Sequence, residues 1–218
     1  MGREAFSLKL NRFFICCFAL VQIGLGIYYL MLGLPYFYMI AFGGLFLLPL
    51  PQLIFRILRL KPVQQIYAAV YVFLFLSYTC GLVMGFYGKF VYYDKGVHFF
   101  SGIVFSFFAL IFFYYLKPKK EIAANDFRLA SAFSFAISIA IAALWEIAEY
   151  FYAFISGLDP QNVLATGVDD TMIDMIVCTA GALLFLYSIR LYYKMGRRTP
   201  LMAAFEAFVC INIEPNDA

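Results

Sequence analysis

Six long apolar stretches, separated by short polar segments, run through this sequence of 218 residues. Charged residues make up only 13% of the chain, about half of the roughly 25% that is typical of soluble domains. A helix needs roughly 20 apolar residues to cross the hydrocarbon core of a membrane. The composition therefore excludes a soluble globular protein and predicts a protein that crosses a membrane several times.

The six stretches predict an all-α fold of six transmembrane helices. Their approximate bounds are residues 13–33, 36–55, 66–87, 97–116, 130–152 and 172–193. Pro49 and Pro51 lie near the end of the second stretch, where we expect a kink or a surface helix that continues towards Leu60. We expect residues 1–196 to form one transmembrane domain, and residues 197–218 to form a cytoplasmic tail or a short helix at the membrane surface.

Basic residues concentrate on one side of the predicted membrane. Of the 16 Lys and Arg residues, only Lys89 and Lys95 fall on the other side. Cytoplasmic loops are enriched in Lys and Arg, so this asymmetry predicts that both termini are cytoplasmic. The first stretch is too long for the core of a signal peptide and has no cleavage motif of small residues at its end. We therefore expect it to be a retained span.

The histidine and the acidic residues in or bordering the outer half of the predicted spans occur only at the last three. They form three pairs at helical spacing: Asp94 and His98, Glu146 and Glu149, and Asp170 and Asp174. Residues three or four positions apart share a helix face, so the two members of each pair point the same way. With a rise of about 1.5 Å per residue, all six lie at similar depths on the outer side of the membrane. Ionisable groups are costly at that depth, so they indicate a functional site.

A stripe of small residues on the fifth span leads to the glutamates. Ser134, Ser138, Ala142 and Glu146 follow one another at intervals of four residues. Small residues let helices approach closely in a membrane, so we expect this stripe to face the other helices. Glu146 and Glu149 would then point towards His98. Lys95 lies about 100° around its helix from Asp94, and we expect its side chain to reach the membrane surface.

Three motifs carry a family resemblance. They are DKGVHF at residues 94–99, EIAE at residues 146–149 and DDTMIDM at residues 169–175. In this order they resemble the YjdF-like bacterial membrane proteins and, more distantly, the VanZ-like proteins, over about residues 88–190. The resemblance implies a bacterial plasma membrane protein, and the VanZ-like proteins are associated with teicoplanin resistance. The chain departs from the VanZ-like pattern at Glu149, where those proteins tend to carry Gln, and before Asp170, where they usually carry Arg.

One imidazole among several carboxylates is a ligand set that suits Mg²⁺, Mn²⁺ or Zn²⁺, and the majority of oxygen donors favours the first two. The predicted metal ligands are His98, Glu146, Glu149, Asp170 and Asp174. The predicted catalytic residues are His98, Asp94 and Glu146, with His98 alternatively acting as a general base that Asp94 orients. Ser101 is a weaker candidate for a nucleophile. Asp94 and Asp170 could also serve only as helix caps.

Three functions are compatible with such a site. The first is a metal-dependent enzyme acting on a lipid or lipid-linked substrate at the outer face of the membrane. The second is a transporter or ion-binding protein in which the acids bind a cation or pass protons. The third is a membrane scaffold that holds a structural ion. We expect membrane lipids as partners and no nucleic acid.

The orientation can be tested by labelling introduced cysteines in intact cells with a thiol reagent that does not cross membranes. We expect residues 117–125 to be cytoplasmic and residues 156–168 to be outside, because of the distribution of Lys and Arg. A cysteine at Gln161 should therefore be labelled and one at Lys119 should not. Labelling at position 119 alone would show that the orientation is opposite to the predicted one.

Overall fold

The computed structural model describes residues 2–118 and 122–213, with side chains from residue 8 onward. Residues 119–121 of the predicted cytoplasmic loop and residues 214–218 of the predicted tail lie outside this part. Within it every regular element is a helix, which confirms the predicted all-α class. Six helical segments there are long and apolar enough to cross a membrane: Leu8–Met31, Pro35–Ile57, Gln64–Val83, Tyr93–Leu116, Ala124–Ser156 and Asp169–Met195.

The chain forms two compact units, Met1–Tyr93 and Asp94–Ala218. The first contains helices α1 (Gly2–Met31), α2 (Pro35–Gly43), α3 (Leu50–Ile57), α4 (Gln64–Leu74) and α5 (Phe86–Lys89), with a 3₁₀ turn (Gly44–Leu47) and a π-helix (Phe75–Val83). The second contains helices α6 (Tyr93–Leu116), α7 (Phe127–Ser156), α8 (Val163–Thr166), α9 (Asp169–Met195) and α10 (Pro200–Asn212), with a 3₁₀ turn (Ala124–Asp126).

The second span is broken, as its prolines predicted. Helix α2 gives way to the 3₁₀ turn, and α3 starts after Pro49 with Pro51 among its first residues. Proline fits there because the first N–H groups of a helix have no partner within the helix. The third span is shorter than predicted: it ends at Val83, and Gly85 follows with a φ of 72°. That left-handed conformation ends the helix.

A buried polar contact holds the first unit together. Gln22 and Thr79 are fully buried, and Gln22 Nε2 donates a hydrogen bond to Thr79 Oγ1 at 2.9 Å. Gly44 leaves room for this contact, because a Cβ atom there would lie 2.3 Å from Gln22 Nε2. The contact links α1, the 3₁₀ turn and the π-helix within an apolar interior, where an unpaired amide would be costly.

Helix α10 occupies the segment for which we predicted a tail or a surface helix. Its residues Met202, Phe205 and Phe208 are buried. The Phe205 ring packs against Tyr114 of α6, with the ring centroids 5.1 Å apart. Within the second unit α10 therefore packs against the ends of the spans.

Helices α6 and α9 touch through their backbones at two buried glycines. A Cβ atom at Gly102 would lie 2.0 Å from the carbonyl oxygen of Cys178, and one at Gly181 would lie 1.9 Å from that of Phe99. Only glycine permits such an approach. Ser138 of α7 donates a hydrogen bond to the carbonyl oxygen of Gly102 at 3.1 Å, which adds the third span of the unit to this crossing.

Replacing Gly181 by alanine should therefore destabilise the protein strongly. Forcing atoms into a packed interior costs about 1–3 kcal/mol, and here the obstacle is the rigid backbone of α6. We expect a loss at the upper end of that range or beyond it, measured as a lower Tm of the detergent-purified protein. The control is Gly96→Ala in α6, where a Cβ atom meets nothing within 4 Å. Equal Tm values for the two variants would contradict the close contact between the backbones of α6 and α9.

Candidate functional site

The glycine crossing places the first turns of α6 and α9 side by side. Residues Asp94, Lys95 and His98 come from α6, and Asp170 and Asp174 come from α9. His98 lies one turn before Gly102, and Asp174 lies two turns before Gly181. We call these five side chains the Lys95 cluster. Its members come together because the two backbones have no side chains between them at the crossing.

Lys95 is the centre of this cluster. Its Nζ atom lies 2.5 Å from Asp170 Oδ1, 2.8 Å from Asp174 Oδ2 and 3.2 Å from Asp94 Oδ2. Its side chain is 16% exposed, so the prediction that it reaches the membrane surface is wrong. The reason is that α9 lies beside that face of α6 and presents two carboxylates to it. All three are charge-assisted hydrogen bonds, and the two to α9 are the shorter ones.

His98 faces two further carboxylate oxygens. Its Nε2 atom lies 3.6 Å from Asp94 Oδ1 and 4.0 Å from Asp174 Oδ1, which is too long for direct hydrogen bonds. One ligand atom from each of these three residues lies within 4.8 Å of the other two. Asp174 Oδ1 is buried and has no hydrogen-bond partner. The three atoms therefore surround a space that an electropositive group would fill.

The Lys95 cluster carries excess negative charge. Three carboxylates, those of Asp94, Asp170 and Asp174, face the single ammonium group of Lys95. With His98 neutral, three negative charges less one positive charge leave two negative charges. Two like charges about 4 Å apart repel by about 4 kcal/mol at an effective dielectric constant near 20. A divalent cation matches both the charge and the donor atoms of the cluster.

Asp170 has both oxygens engaged. Oδ1 accepts from Lys95, and Oδ2 accepts a hydrogen bond from Asn162 Nδ2 at 2.9 Å. Asp170 therefore holds Lys95 and the loop before α8 in place, and it offers less to a metal ion than Asp174 does. Its predicted role as a metal ligand stays a prediction.

Glu146 lies on the buried stripe of α7 and interacts electrostatically with His98 of the cluster. That stripe is buried at Ser134, Ser138, Ala142 and Glu146. Gln161 Nε2 donates hydrogen bonds to Glu146 Oε2 at 3.1 Å and to its backbone carbonyl oxygen at 3.0 Å. The other carboxylate oxygen, Oε1, is buried without a partner. Glu146 is thus a second acid with a free, desolvated oxygen.

Glu149 has a different environment from Glu146. Its Oε1 atom accepts a hydrogen bond from Trp145 Nε1 at 2.8 Å, and the Trp145 side chain is 57% exposed. Glu149 is half-buried and does not belong to the group of ligand atoms around His98. One turn of helix thus separates two glutamates with different partners.

A shallow cavity of about 430 Å³, wide open to the surface of the unit, borders Glu146. Its walls come from α7, α8, α9 and the loops between them, and most of them are apolar. The lining residues are Glu146, Ile147, Tyr150, Gln161, Val163, Gly167, Val168 and Thr171. Ile147, Tyr150 and Val168 are each at least half exposed on the surface of the unit. The cavity therefore joins a buried acid to an exposed apolar surface.

We did not predict a role for Gln161 or Asn162 from the sequence, because only their polarity distinguishes them from other loop residues. They bind Glu146 and Asp170, so they belong to the site. Since Gln161 is 8% exposed, the cysteine for the labelling experiment is better introduced at Leu164, which is 93% exposed.

Ser101 was the weaker candidate for a nucleophile. It donates its hydroxyl hydrogen to the carbonyl oxygen of His98 at 2.7 Å, and this bond does not activate the hydroxyl for nucleophilic attack.

Removing the charge of Lys95 should destabilise the second unit. Loss of one partner from a fully buried ion pair costs about 3–5 kcal/mol, because the remaining charges lose their counter-ion. The ion pairs of Lys95 are partly buried, so the loss here should be smaller. We therefore expect Lys95→Met to lower the Tm clearly. Lys194→Met is the control, since Lys194 is exposed and contacts the Phe127 ring, a contact worth at most about 1 kcal/mol. A Lys95 variant as stable as the control would show that the ion pairs carry no net stability.

Comparison with known proteins identifies a family to which the sequence is similar. The family described as "Predicted membrane protein (DUF2238)" matches residues 10–195. An uncharacterised protein of Thermotoga maritima is 32% identical over 102 residues, which are 47% of this chain and 50% of that protein. The match thus spans about half the length of that relative. No solved structure matches. The YjdF-like resemblance fits this family loosely, and a link to VanZ-like proteins stays a prediction.

Proposed function

The chain belongs to the DUF2238 family of membrane proteins, and we propose that it is a metal-dependent enzyme acting on a lipid or lipid-linked substrate. One observation carries the proposal. Asp174 Oδ1 is buried without a hydrogen-bond partner, 4.0 Å from His98 Nε2. Buried acceptors are rarely left unpaired, and a divalent cation held by Asp94, His98 and Asp174 would pair this one.

The donor set favours particular metals. Two carboxylate oxygens and one imidazole nitrogen suit Mn²⁺ and Zn²⁺, and the carboxylates also suit Mg²⁺. Three protein ligands leave coordination positions for water or for an oxygen of a substrate. A metal in this position would polarise a phosphoryl or carbonyl oxygen and promote attack by water.

Glu146 is the candidate for proton transfer. It has a buried carboxylate oxygen without a partner and stands in the wall of the cavity. Gln161 fixes its other oxygen, so the free one keeps a defined position. A carboxylate held in this way accepts or donates a proton at a bound substrate without first having to be ordered.

The cavity supports an amphiphilic substrate. Its volume of about 430 Å³ falls within the range of roughly 300–1,000 Å³ that is usual for ligand sites. It suits a headgroup better than a complete lipid, and its exposed apolar rim offers a place for hydrocarbon chains. With the orientation that the basic residues predict, we place the site at the outer face of a bacterial plasma membrane.

A second candidate is transport of a cation or of protons. Below the cluster, Ser106 of α6 and Ser134 of α7 have buried hydroxyl oxygens without hydrogen-bond partners. Unpaired hydroxyls at this depth could continue a polar path from the site through the unit. The third candidate, a scaffold with a structural ion, needs only the metal site itself.

Metal binding can be measured directly with Mn²⁺, whose electron paramagnetic resonance signal weakens on binding. The chelator-treated protein in detergent should bind one Mn²⁺ per chain. Asp174→Asn should weaken binding at least about tenfold, because it removes a charged ligand at nearly constant shape. The control is Asp169→Asn on the same helix, where the carboxylate is exposed. If neither Mn²⁺, Mg²⁺ nor Zn²⁺ binds saturably, the metal site does not exist.

A reaction can be sought by incubating the Mn²⁺-loaded protein with a bacterial lipid extract and analysing products by mass spectrometry. The proposal expects a product that disappears in Glu146→Gln while Mn²⁺ binding persists. Uptake of Mn²⁺ into proteoliposomes without any lipid product would favour transport. Tight binding with neither outcome would identify a structural ion.

A further inference from the structure

The first unit contains a cavity that has no part in the site described above. It measures about 490 Å³ and lies between residues 8–15 of α1, helix α3, the start of α4 and the segment before α4. Its lining combines two guanidinium groups, three side-chain amides and an apolar remainder: Leu8, Asn11, Arg12, Ile15, Gln52, Phe55, Arg56, Leu60, Pro62, Gln64 and Tyr67. We call it the Arg12–Arg56 cavity.

Within residues 8–93, where the first unit's side chains are described, no carboxylate balances the charge of the two arginines. Between residues 5 and 93 the sequence contains no Asp or Glu at all. Among the described residues, neither Arg12 nor Arg56 forms an ion pair. Both side chains are exposed at the cavity. Arginine is well suited to binding phosphate, because its planar guanidinium can donate two parallel hydrogen bonds.

A buried amide gives the cavity a second, independent polar feature. Asn11 is 3% exposed, and its Nδ2 atom donates hydrogen bonds to Gln64 at the backbone oxygen and at Oε1, over 2.7 and 2.8 Å. The other end of the amide, Oδ1, is buried without a partner. It is an acceptor in need of a donor, such as a hydroxyl group.

The remaining walls are apolar. Phe55 and Tyr67 are buried and pack edge to face, with ring centroids 4.9 Å apart. Leu8 and Ile15 extend the apolar surface along α1 into the predicted membrane. A ligand here needs an anionic group for the arginines, a hydroxyl donor for Asn11 and hydrocarbon for the walls.

We propose that the Arg12–Arg56 cavity binds the headgroup of an anionic phospholipid of the phosphatidylglycerol type. The phosphodiester would lie between Arg12 and Arg56, and a headgroup hydroxyl would donate to Asn11 Oδ1. The first acyl carbons would pack against the apolar wall. Basic residues at a membrane end attract anionic lipids in general, but a concave site with an unpaired buried acceptor selects for one headgroup.

Native mass spectrometry of the delipidated protein in detergent tests this site. One phosphatidylglycerol should bind per chain at least tenfold more tightly than phosphatidylcholine, whose zwitterionic headgroup has no net charge and no hydroxyl. Arg56→Gln should weaken that binding at least fivefold, which is the attraction expected of one basic residue. Arg12→Gln should do the same if the first variant does not fold. The control Arg59→Gln, three residues further on and outside the cavity, should leave the affinity within twofold.

Three results would overturn the assignment. Equal affinities for phosphatidylglycerol and phosphatidylcholine would show that the cavity does not select its ligand by charge. Equal losses of affinity in the Arg56 and Arg59 variants would show that binding depends only on the general positive charge of the surface. Competition by soluble glycerol phosphate as strong as that of the lipid would show a site for a free anion instead. Mn²⁺ binding by the second unit is not involved, so this test and that of the metal site can fail independently.

Discussion

The backbone contact between α6 and α9 is the constraint on which the second unit depends. Gly102 and Gly181 each face a carbonyl oxygen at a distance that excludes any side chain. That contact fixes both the separation and the rotation of the two helices. The chemistry follows from it, because Lys95 meets the aspartates of α9 only when the first turns of these helices lie together. A site with little tolerance for movement is therefore built on the least adaptable kind of helix packing.

Charge and burial then divide the acidic residues into different roles. Asp170 has two partners and serves to position Lys95, whereas Asp174 has one oxygen paired and one buried without a partner. Glu146 combines a fixed oxygen with a free one, and Glu149 bonds to an exposed indole. Residues of the same chemical type thus differ in what they can bind, and the difference comes from their neighbours.

The fold was largely predictable from the sequence, and the site only in part. Six apolar stretches are a strong signal, because the membrane requires both their length and their composition. Helical spacing indicated which acids share a face. It could not show that Lys95 turns towards α9, since that depends on how closely two helices pack. The roles of Gln161 and Asn162 depend on the path of a loop, and the orphaned oxygen of Asn11 depends on which way an amide points.

The dependence of α9 on a lysine in α6 has a consequence for how the protein enters the membrane. Asp170 and Asp174 make the last span costly to insert by itself, since a carboxylate in a lone helix has no counter-ion in lipid. Lys95 reaches the membrane two spans earlier in the order of synthesis. The last helix is therefore stabilised by a partner that is already in place. A chain truncated before α9 would leave Lys95 without two of its three carboxylates.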